Sequence, residues 1–206
     1  MNLSKAHSEL DRLFDIFNEK LFENKLEKPI IIIQSTGKKP IYGYCSLERR
    51  WSSKDSEQEC YELGISAENL ARDKEGICGT LIHEMVHLMN VGLGVKDTAS
   101  NYVYHNKRFK EAAEAVGLII QKAPRIGWSV TTLGEKLTEL VQSLNIDIDA
   151  FSFFRKQSFK IKVENKNKMY RYACSCGQVV HSKEQPRIRC VDCGTSFYQL
   201  EKGQRV

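Results

Sequence analysis

The chain has 206 residues, of which 41% are hydrophobic and 28% charged, enough for a core in one large domain or in one medium domain with a small appendage. No apolar run approaches the ~20 residues of a membrane span, and the first residues lack the apolar segment of a secretory signal. We therefore expect a cytoplasmic protein that does not contact membranes.

The charge is unevenly distributed along the chain. Residues 151–206 carry 12 Lys/Arg and 4 Asp/Glu, a net charge of +8, whereas residues 1–150 carry 19 and 22, a net charge of −3. A basic tail on a slightly acidic body favours an anionic partner for the tail, of which nucleic acid is the usual one. Solubility alone is the alternative explanation.

Residues 4–24 have the pattern of an amphipathic helix, with apolar residues at steps of three and four. Residues 30–33 are all isoleucine and predict a strand, with residues 42–47 as its partner. Residues 51–58 are polar and predict a loop, and residues 60–65 predict a further strand. This order of a helix, strands and then another helix predicts an α+β fold.

The next predicted helix, over residues 77–92 with Asp73 as its candidate N-cap, carries the pattern H-E-x-x-H at His83, Glu84 and His87. Residues four apart lie on one face of a helix, so the two histidines can bind the same zinc ion. Glu84 can then act as a general base that takes a proton from the attacking water and passes it to the leaving amine. The pattern predicts a zinc peptidase, and a buried helix with two chance histidines is the alternative.

A catalytic zinc needs a third protein ligand and one open coordination position. His105 lies 18 residues beyond His87, beside a predicted helix over residues 106–116, and we expect it to be that ligand. Tyr102 or Tyr104 could donate a hydrogen bond to the oxyanion, although packing of the loop is the simpler role. The alternative third ligands are carboxylates: Glu111, Glu114 and, more weakly, Asp97.

The segment after residue 117 carries few signals. Residues 118–132 predict an irregular link that contains Pro124 and Gly127, and residues 133–144 predict a short helix. Residues 151–163 are aromatic and basic, and their alternation predicts a strand.

The seven cysteines divide into three single residues and a cluster near the end of the chain. In a reducing compartment the cluster predicts a metal site rather than disulfides, and four thiolates can close a structural zinc site in a ribbon. His181 could replace one sulfur. The clustered residues are Cys174, Cys176, Cys190 and Cys193, and the ordinary thiols are Cys45, Cys60 and Cys78.

Basic residues interleave with Phe and Tyr in and before the cysteine cluster. Phosphates on cations and bases on rings would suit single-stranded or double-stranded DNA. The alternative is that the rings pack the ribbon and the cations are solvated. The expected DNA contacts are Arg155, Lys156, Lys160, Lys162, Arg171, Arg187 and Arg189.

The chain resembles the SprT-like metalloprotease family, to which the Spartan proteases belong, over about residues 8–118 and 170–198. The family usually has Gly after its third-ligand histidine, where this chain has Asn106. The segments that carry the resemblance are Phe17-Asn18, Leu21-Phe22, Gly43-Tyr44-Cys45, Thr80 to His87, His105 to Lys110 and the closing cysteine unit.

The resemblance implies a zincin-like domain, with helices packed on a small antiparallel sheet, followed by a small β zinc ribbon. It maps the zinc ligands to His83, His87 and His105, and the general base to Glu84. The best-known members degrade proteins crosslinked to DNA and are activated by DNA. The resemblance therefore implies a protein substrate and a role in DNA repair. If the protein binds DNA, we expect it to be associated with the nucleoid.

We accordingly expect a monomer with two zinc sites, one catalytic and one structural. The expected domains are a metalloprotease domain over residues 1–120, a basic linker with a short helix over 121–169 and a zinc ribbon over 170–200. Two other functions stay open. One is a regulatory metalloprotease that cleaves a repressor of a mobile element, and the other is a non-enzymatic zinc-ribbon DNA-binding protein.

Overall fold

The computed structural model describes residues 3–37, 41–99, 104–156 and 168–201. The chain divides into two compact units, residues 1–157 and residues 158–206. The first unit combines helices with small sheets, which confirms the predicted α+β class.

The first helix, α1 (Ser4–Phe22), buries one apolar stripe, as its sequence pattern predicts. Leu10, Phe14 and Phe17 on this stripe are fully buried in the core of the first unit. The helix ends where Glu23 adopts a left-handed conformation with a φ of 56°.

Five short strands follow: β1 (Ile30–Gln34), β2 (Gly43–Cys45), β3 (Trp51–Ser52), β4 (Glu59–Cys60) and β5 (Glu62–Ser66). In the main sheet β5 lies in the centre, with β1 parallel on one side and β2 antiparallel on the other. All five residues of β5 are buried, as expected of a central strand. The prediction that residues 30–33 pair directly with residues 42–47 is therefore wrong, because β5 lies between them. The expected antiparallel sheet is also wrong for the β1–β5 pair, which is parallel. Strands β3 and β4 pair as a hairpin where the sequence predicted a loop.

The helix that carries the histidine pair is α2 (Lys74–Gly92). The Asp73 carboxylate caps it by accepting a hydrogen bond of 2.8 Å from the Gly76 N–H, as predicted. Leu81 and Met85, on the side that faces the core, are fully buried. This packing fixes one face of α2 against the core, and the face that carries His83 and His87 remains available for a metal site.

A second sheet contains β6 (Thr98–Ala99), β7 (Tyr104–His105), β8 (Leu118–Ala123) and β9 (Gly127–Leu133), in the order β6-β7-β9-β8. The irregular link predicted over residues 118–132 is therefore wrong, since β8 and β9 form a hairpin. The strand pattern of β9 is hidden because Ser129 and Thr131, which point towards the histidines, are polar. An inward face made of hydroxyls lacks the apolar alternation by which strands are recognised.

Two further helices, α3 (Lys107–Ala115) and α4 (Glu135–Ser143), lie close to their predicted positions. Leu137 and Val141 of α4, together with Phe151, are buried in the core of the first unit. The sequence predicted a linker over residues 121–169. In the structure, the described residues 121–156 instead belong to the first unit. Among the described residues, no helix is long and apolar enough to cross a membrane.

The second unit is a small sheet of β10 (Tyr170–Ala173), β11 (Val179–Ser182) and β12 (Tyr198–Gln199), in the order β11-β10-β12. Among its described residues, the core cluster consists of Tyr172, Phe197, Cys174 and Cys190. A core this small needs a further source of stability, such as a structural metal. The unit is compatible with the zinc ribbon that the sequence predicts.

The packing behind α2 predicts an unequal effect of two Leu→Ala substitutions. Leu81→Ala should lower the free energy of unfolding by about 2–5 kcal/mol, because Leu81 is fully buried and its removal leaves a cavity. Leu93→Ala, at the exposed end of the same helix, should change it by less than about 0.5 kcal/mol, since Leu93 is 71% exposed. Urea unfolding followed by circular dichroism measures both, and equal losses would contradict this packing.

Candidate metal centre

Helix α2 and strand β7 bring three histidines to one point. His83 and His87 lie one turn apart on α2, and His105 ends β7. The His105 Nε2 lies 3.2 Å from the His83 Nε2 and 3.0 Å from the His87 Nε2. These three nitrogens form a group that could hold a metal ion.

The remaining ring nitrogen of each histidine is held by a side chain outside the pattern. The His83 Nδ1 lies 2.8 Å from the Thr131 Oγ1, and the His105 Nδ1 lies 2.7 Å from the Ser129 Oγ. Both hydroxyls come from the same face of β9, two residues apart.

His87 is held differently, because its Nδ1 lies 2.7 Å from the Asp97 Oδ2. Burial disfavours the charge on Asp97, but the hydrogen bonds from His87 and Asn90 and the nearby imidazoles together outweigh it, so the pKa of Asp97 lies below its usual value. The Asn90 side chain donates a second hydrogen bond of 3.0 Å to the same oxygen. Asp97 is therefore an ionised acceptor that orients His87, and the structure gives it this contact rather than the metal contact weighed from the sequence.

The hydroxyl contacts decide which ring nitrogens carry protons. The Thr131 hydroxyl donates to the Ser129 carbonyl, and the Ser129 hydroxyl donates to the Ile126 carbonyl. Each hydroxyl oxygen is then left to accept a proton from the Nδ1 of a histidine. Asp97, being ionised, can only accept. These contacts favour the tautomer with the proton on Nδ1, which directs the lone pair of each Nε2 towards the shared point.

Zinc fits this arrangement. Three neutral nitrogens that turn their lone pairs on one another at 3.0 and 3.2 Å repel, and a cation between them removes the repulsion. Ligands at 2.0–2.1 Å from a tetrahedral ion lie about 3.3 Å apart, close to the observed distances. Burial and the neighbouring imidazoles lower the pKa of His83, which keeps it in the neutral form that metals bind.

Phe109 forms the floor beneath the three imidazoles. Its ring centroid lies 4.5 Å from those of His83 and His87 and 4.6 Å from that of His105, and its side chain is fully buried. Phe109 is in the first turn of α3, which Asn106 caps by accepting hydrogen bonds from the Arg108 and Phe109 N–H groups. The departure from the family pattern at Asn106 thus has a structural role, because Asn is a favourable N-cap.

Glu84 points from α2 towards the edge strand β2. A Cβ on Gly43 would lie 2.9 Å from both the Cγ and the Oε1 of Glu84, so only glycine leaves room for this carboxylate. Burial raises the pKa of Glu84 to about 7. A carboxyl group with that pKa can both accept and return a proton near neutral pH.

The other candidates from the sequence do not join the site. Glu111 and Glu114 are exposed on α3, and neither belongs to the group of histidines. The ring of Tyr104 packs against Gly127, where a Cβ would lie 2.9 Å from it, and Tyr102 lies outside the described residues.

The four clustered cysteines converge in the second unit. The Cys176 Sγ lies 3.3 Å from the Cys174 Sγ and 3.6 Å from the Cys190 Sγ, near the ~3.8 Å expected for four sulfurs around a tetrahedral zinc ion. The Thr195 hydroxyl, 3.0 Å from the Cys193 Sγ, lowers the pKa of Cys193 to about 6 and so favours the thiolate that binds metal. His181 is exposed on β11 and is not part of this group.

The basic residues expected to contact DNA are in different surroundings. The Arg155 guanidinium donates to Ser35 and Glu68 in the first unit and is therefore engaged there. Lys156 is exposed, as are Arg171, Arg187 and Arg189 in the second unit, whereas Lys160 and Lys162 lie outside the described residues. Of the aromatic residues among them, Phe151 and Tyr172 are buried in the cores of their units.

The hydrogen bond from His83 to Thr131 predicts a specific loss of metal affinity. Thr131→Val should weaken zinc binding at the histidine site by about 10- to 100-fold, because the His83 ring loses the acceptor that orients it. Thr132→Val is the matched control, since Thr132 is exposed on the next position of β9. Competition with a chelator, with cobalt absorption separating the imidazole site from the thiolate site, measures the effect. Equal affinities in the two variants would contradict this role.

Comparison with known proteins gives a family and one partial relative. The family model described as "SprT-like family" matches residues 10–127. A protein of Salmonella typhimurium described as "Uncharacterized protein in mucB 3'region" is 47% identical over 45 residues, 22% of this chain. The matched part spans 58% of that protein, less than two thirds of its length. No solved structure matches the chain.

The family match covers more than half of the 206 residues, and it includes all three histidines of the candidate centre as well as Glu84. The chain therefore belongs to the SprT-like family, a metalloprotease-like family.

Proposed function

We propose that this protein is a zinc-dependent metalloendopeptidase that acts on DNA-associated proteins. The observation that carries the proposal is the convergence of three Nε2 atoms at a helix that also carries a buried carboxylate, Glu84. Family membership supports the same reaction class. In this proposal His83, His87 and His105 are the zinc ligands, and Glu84 is the general base.

Each side chain has a distinct task in the proposed hydrolysis. Bound zinc would supply a Lewis acid that activates water and stabilises the negative charge on the substrate carbonyl oxygen. Glu84 accepts the proton of the attacking water and then delivers it to the leaving nitrogen. Asp97, Ser129 and Thr131 keep the imidazole rings oriented throughout.

The edge strand β2 offers a place for the substrate backbone. In the described sheet β2 is at one edge, and its Gly43 lies against Glu84. An extended peptide that adds to this edge would pass directly over the carboxylate. Because Gly43 has no side chain, the backbone of the peptide can approach the site closely.

Removing the general base should separate metal binding from catalysis. Glu84→Gln should keep the zinc content but lower kcat by at least about 10²–10⁴-fold, because the amide has nearly the shape of the carboxylate and cannot take the proton. Zinc analysis and cleavage of an unfolded protein substrate provide the two measurements.

Glu111→Gln is the matched control, since Glu111 is an exposed carboxylate on α3. This control should retain both zinc and activity. Full activity in Glu84→Gln, or loss of zinc in Glu111→Gln, would contradict the assignment of the base and of the ligands.

Charge supports DNA-associated proteins as the substrates. Residues 151–206 have a net charge of +8, and Arg171, Arg187 and Arg189 are exposed on the second unit. Cations of this kind bind phosphates without regard to sequence, which would concentrate the protease on proteins already bound to DNA.

Reversal of two charges tests the contact with DNA. Arg187→Glu/Arg189→Glu should weaken binding to oligonucleotides and lower the slope of log K against log[salt] by about 2, because two phosphate contacts are lost. Lys20→Glu/Lys25→Glu on the first unit is the matched control with the same change in net charge. Fluorescence anisotropy over a range of salt concentrations, with single-stranded and double-stranded DNA, measures both. Unchanged affinity in the arginine variant would favour a substrate that is not associated with DNA.

A further inference from the structure

Arg72 is a half-buried arginine whose hydrogen-bond and stacking partners are all neutral. Its Nε donates to the Asn69 carbonyl at 2.7 Å, and its Nη2 donates to the Thr80 Oγ1 at 2.9 Å. The guanidinium carbon lies 4.5 Å from the centroid of the Tyr42 ring. These contacts hold the planar group in one orientation.

No carboxylate in the described part of the chain forms a salt bridge with Arg72. Its neighbour Asp73 is committed to capping α2 through the Gly76 N–H. Asp73 attracts the Arg72 guanidinium from beyond salt-bridge distance. A ligand that brought a negative charge into direct contact would offset the remaining cost of desolvation.

The arginine lies close to the proposed catalytic base. Thr80, which it contacts, is four residues before Glu84 and therefore one turn away on the same face of α2. Tyr42, on which it stacks, directly precedes Gly43, the residue that faces Glu84. Both connections place Arg72 beside the edge strand where a substrate would bind.

We propose that Arg72 recognises a carboxylate of the peptide substrate close to the scissile bond. This inference rests on the proposed peptidase function and adds a substrate class to it. The guanidinium is a fork of donors that matches a carboxylate, and the Tyr42 ring, 54% exposed, shields one of its faces. Arg72 would thus be a specificity-determining residue rather than a catalytic one.

Helix and strand geometry limits the position of this carboxylate. One turn of α2 separates Thr80 from Glu84 by about 6 Å along the helix axis. An extended peptide advances about 3.3 Å per residue. The recognised carboxylate therefore belongs to a residue within about two positions of the scissile bond. It can come from an Asp or Glu side chain or from the C-terminus of a short peptide.

Peptide pairs that differ in a single charge test the proposal. Each pair carries Glu or Gln at one of the two positions on either side of the scissile bond, and a further pair ends in a free carboxylate or an amide. The zinc-loaded full-length protein should cleave the Glu peptide with a kcat/KM roughly 10- to 100-fold higher at one position. Arg72→Met should bring this Glu/Gln ratio to about one, and Arg72→Lys should give an intermediate ratio.

Arg49→Met is the matched control, because Arg49 is an arginine that stacks on Tyr61 and pairs with Glu27 away from Glu84. It should keep the wild-type ratio. Arg72→Glu should reverse the preference, so that a Lys peptide is cleaved faster than its Gln counterpart. A purely structural role of Arg72 would change the thermal stability but not this selectivity.

Peptide affinity provides a readout that does not need turnover. Fluorescence anisotropy gives the dissociation constants of the same peptide pairs for the inactive variant Glu84→Gln, which should bind the Glu peptide more tightly than the Gln peptide. The double variant Glu84→Gln/Arg72→Met should bind the two peptides equally. If no peptide is cleaved, the proposed function fails, and these constants still decide the role of Arg72. A ratio near one in the wild type at every position, or a ratio retained in Arg72→Met, overturns the inference.

Discussion

Three imidazole lone pairs directed at one point are the constraint on which the first unit depends. Such an arrangement is repulsive without a cation, so the fold must hold it against that repulsion. It does so by giving each Nδ1 proton an acceptor, two from hydroxyls of β9 and one from the Asp97 carboxylate. Because those hydroxyls also contact backbone carbonyls as donors, the strand geometry favours a proton on the Nδ1 of the rings they face.

One aromatic side chain and two glycines shape the space around the three imidazoles. Phe109 fills the space under all three rings and prevents them from tilting. Gly43 and Gly127 leave space instead. A Cβ would collide with Glu84 at Gly43, and at Gly127, where φ is +70°, it would lie 2.2 Å from the His105 carbonyl oxygen. A packed ring and two glycines thus help to determine where Glu84 and His105 lie.

The same site combines two different uses of charge. Glu84 is buried with little compensation, which suits a group that must gain and lose a proton. Arg72 is half-buried with neutral hydrogen-bond partners, which suits a group that receives a negative charge from outside. It contacts Thr80, which lies one helical turn before Glu84 on α2, so the proposed base and the proposed recognition residue lie near each other. The thiolate cluster of the second unit is instead closed by its own four sulfurs.

The sequence by itself determined the features that depend on local spacing. The pair His83 and His87, the Asp73 cap and the four clustered cysteines were all predicted, because helix periodicity and short turns bring near neighbours together. Only the tertiary structure decided that β5 separates β1 from β2 and that residues 118–132 form a hairpin. It also selected Ser129, Thr131 and Asp97 as partners of the imidazoles. Those outcomes depend on contacts between distant parts of the chain, for which polar strand residues give no local signal.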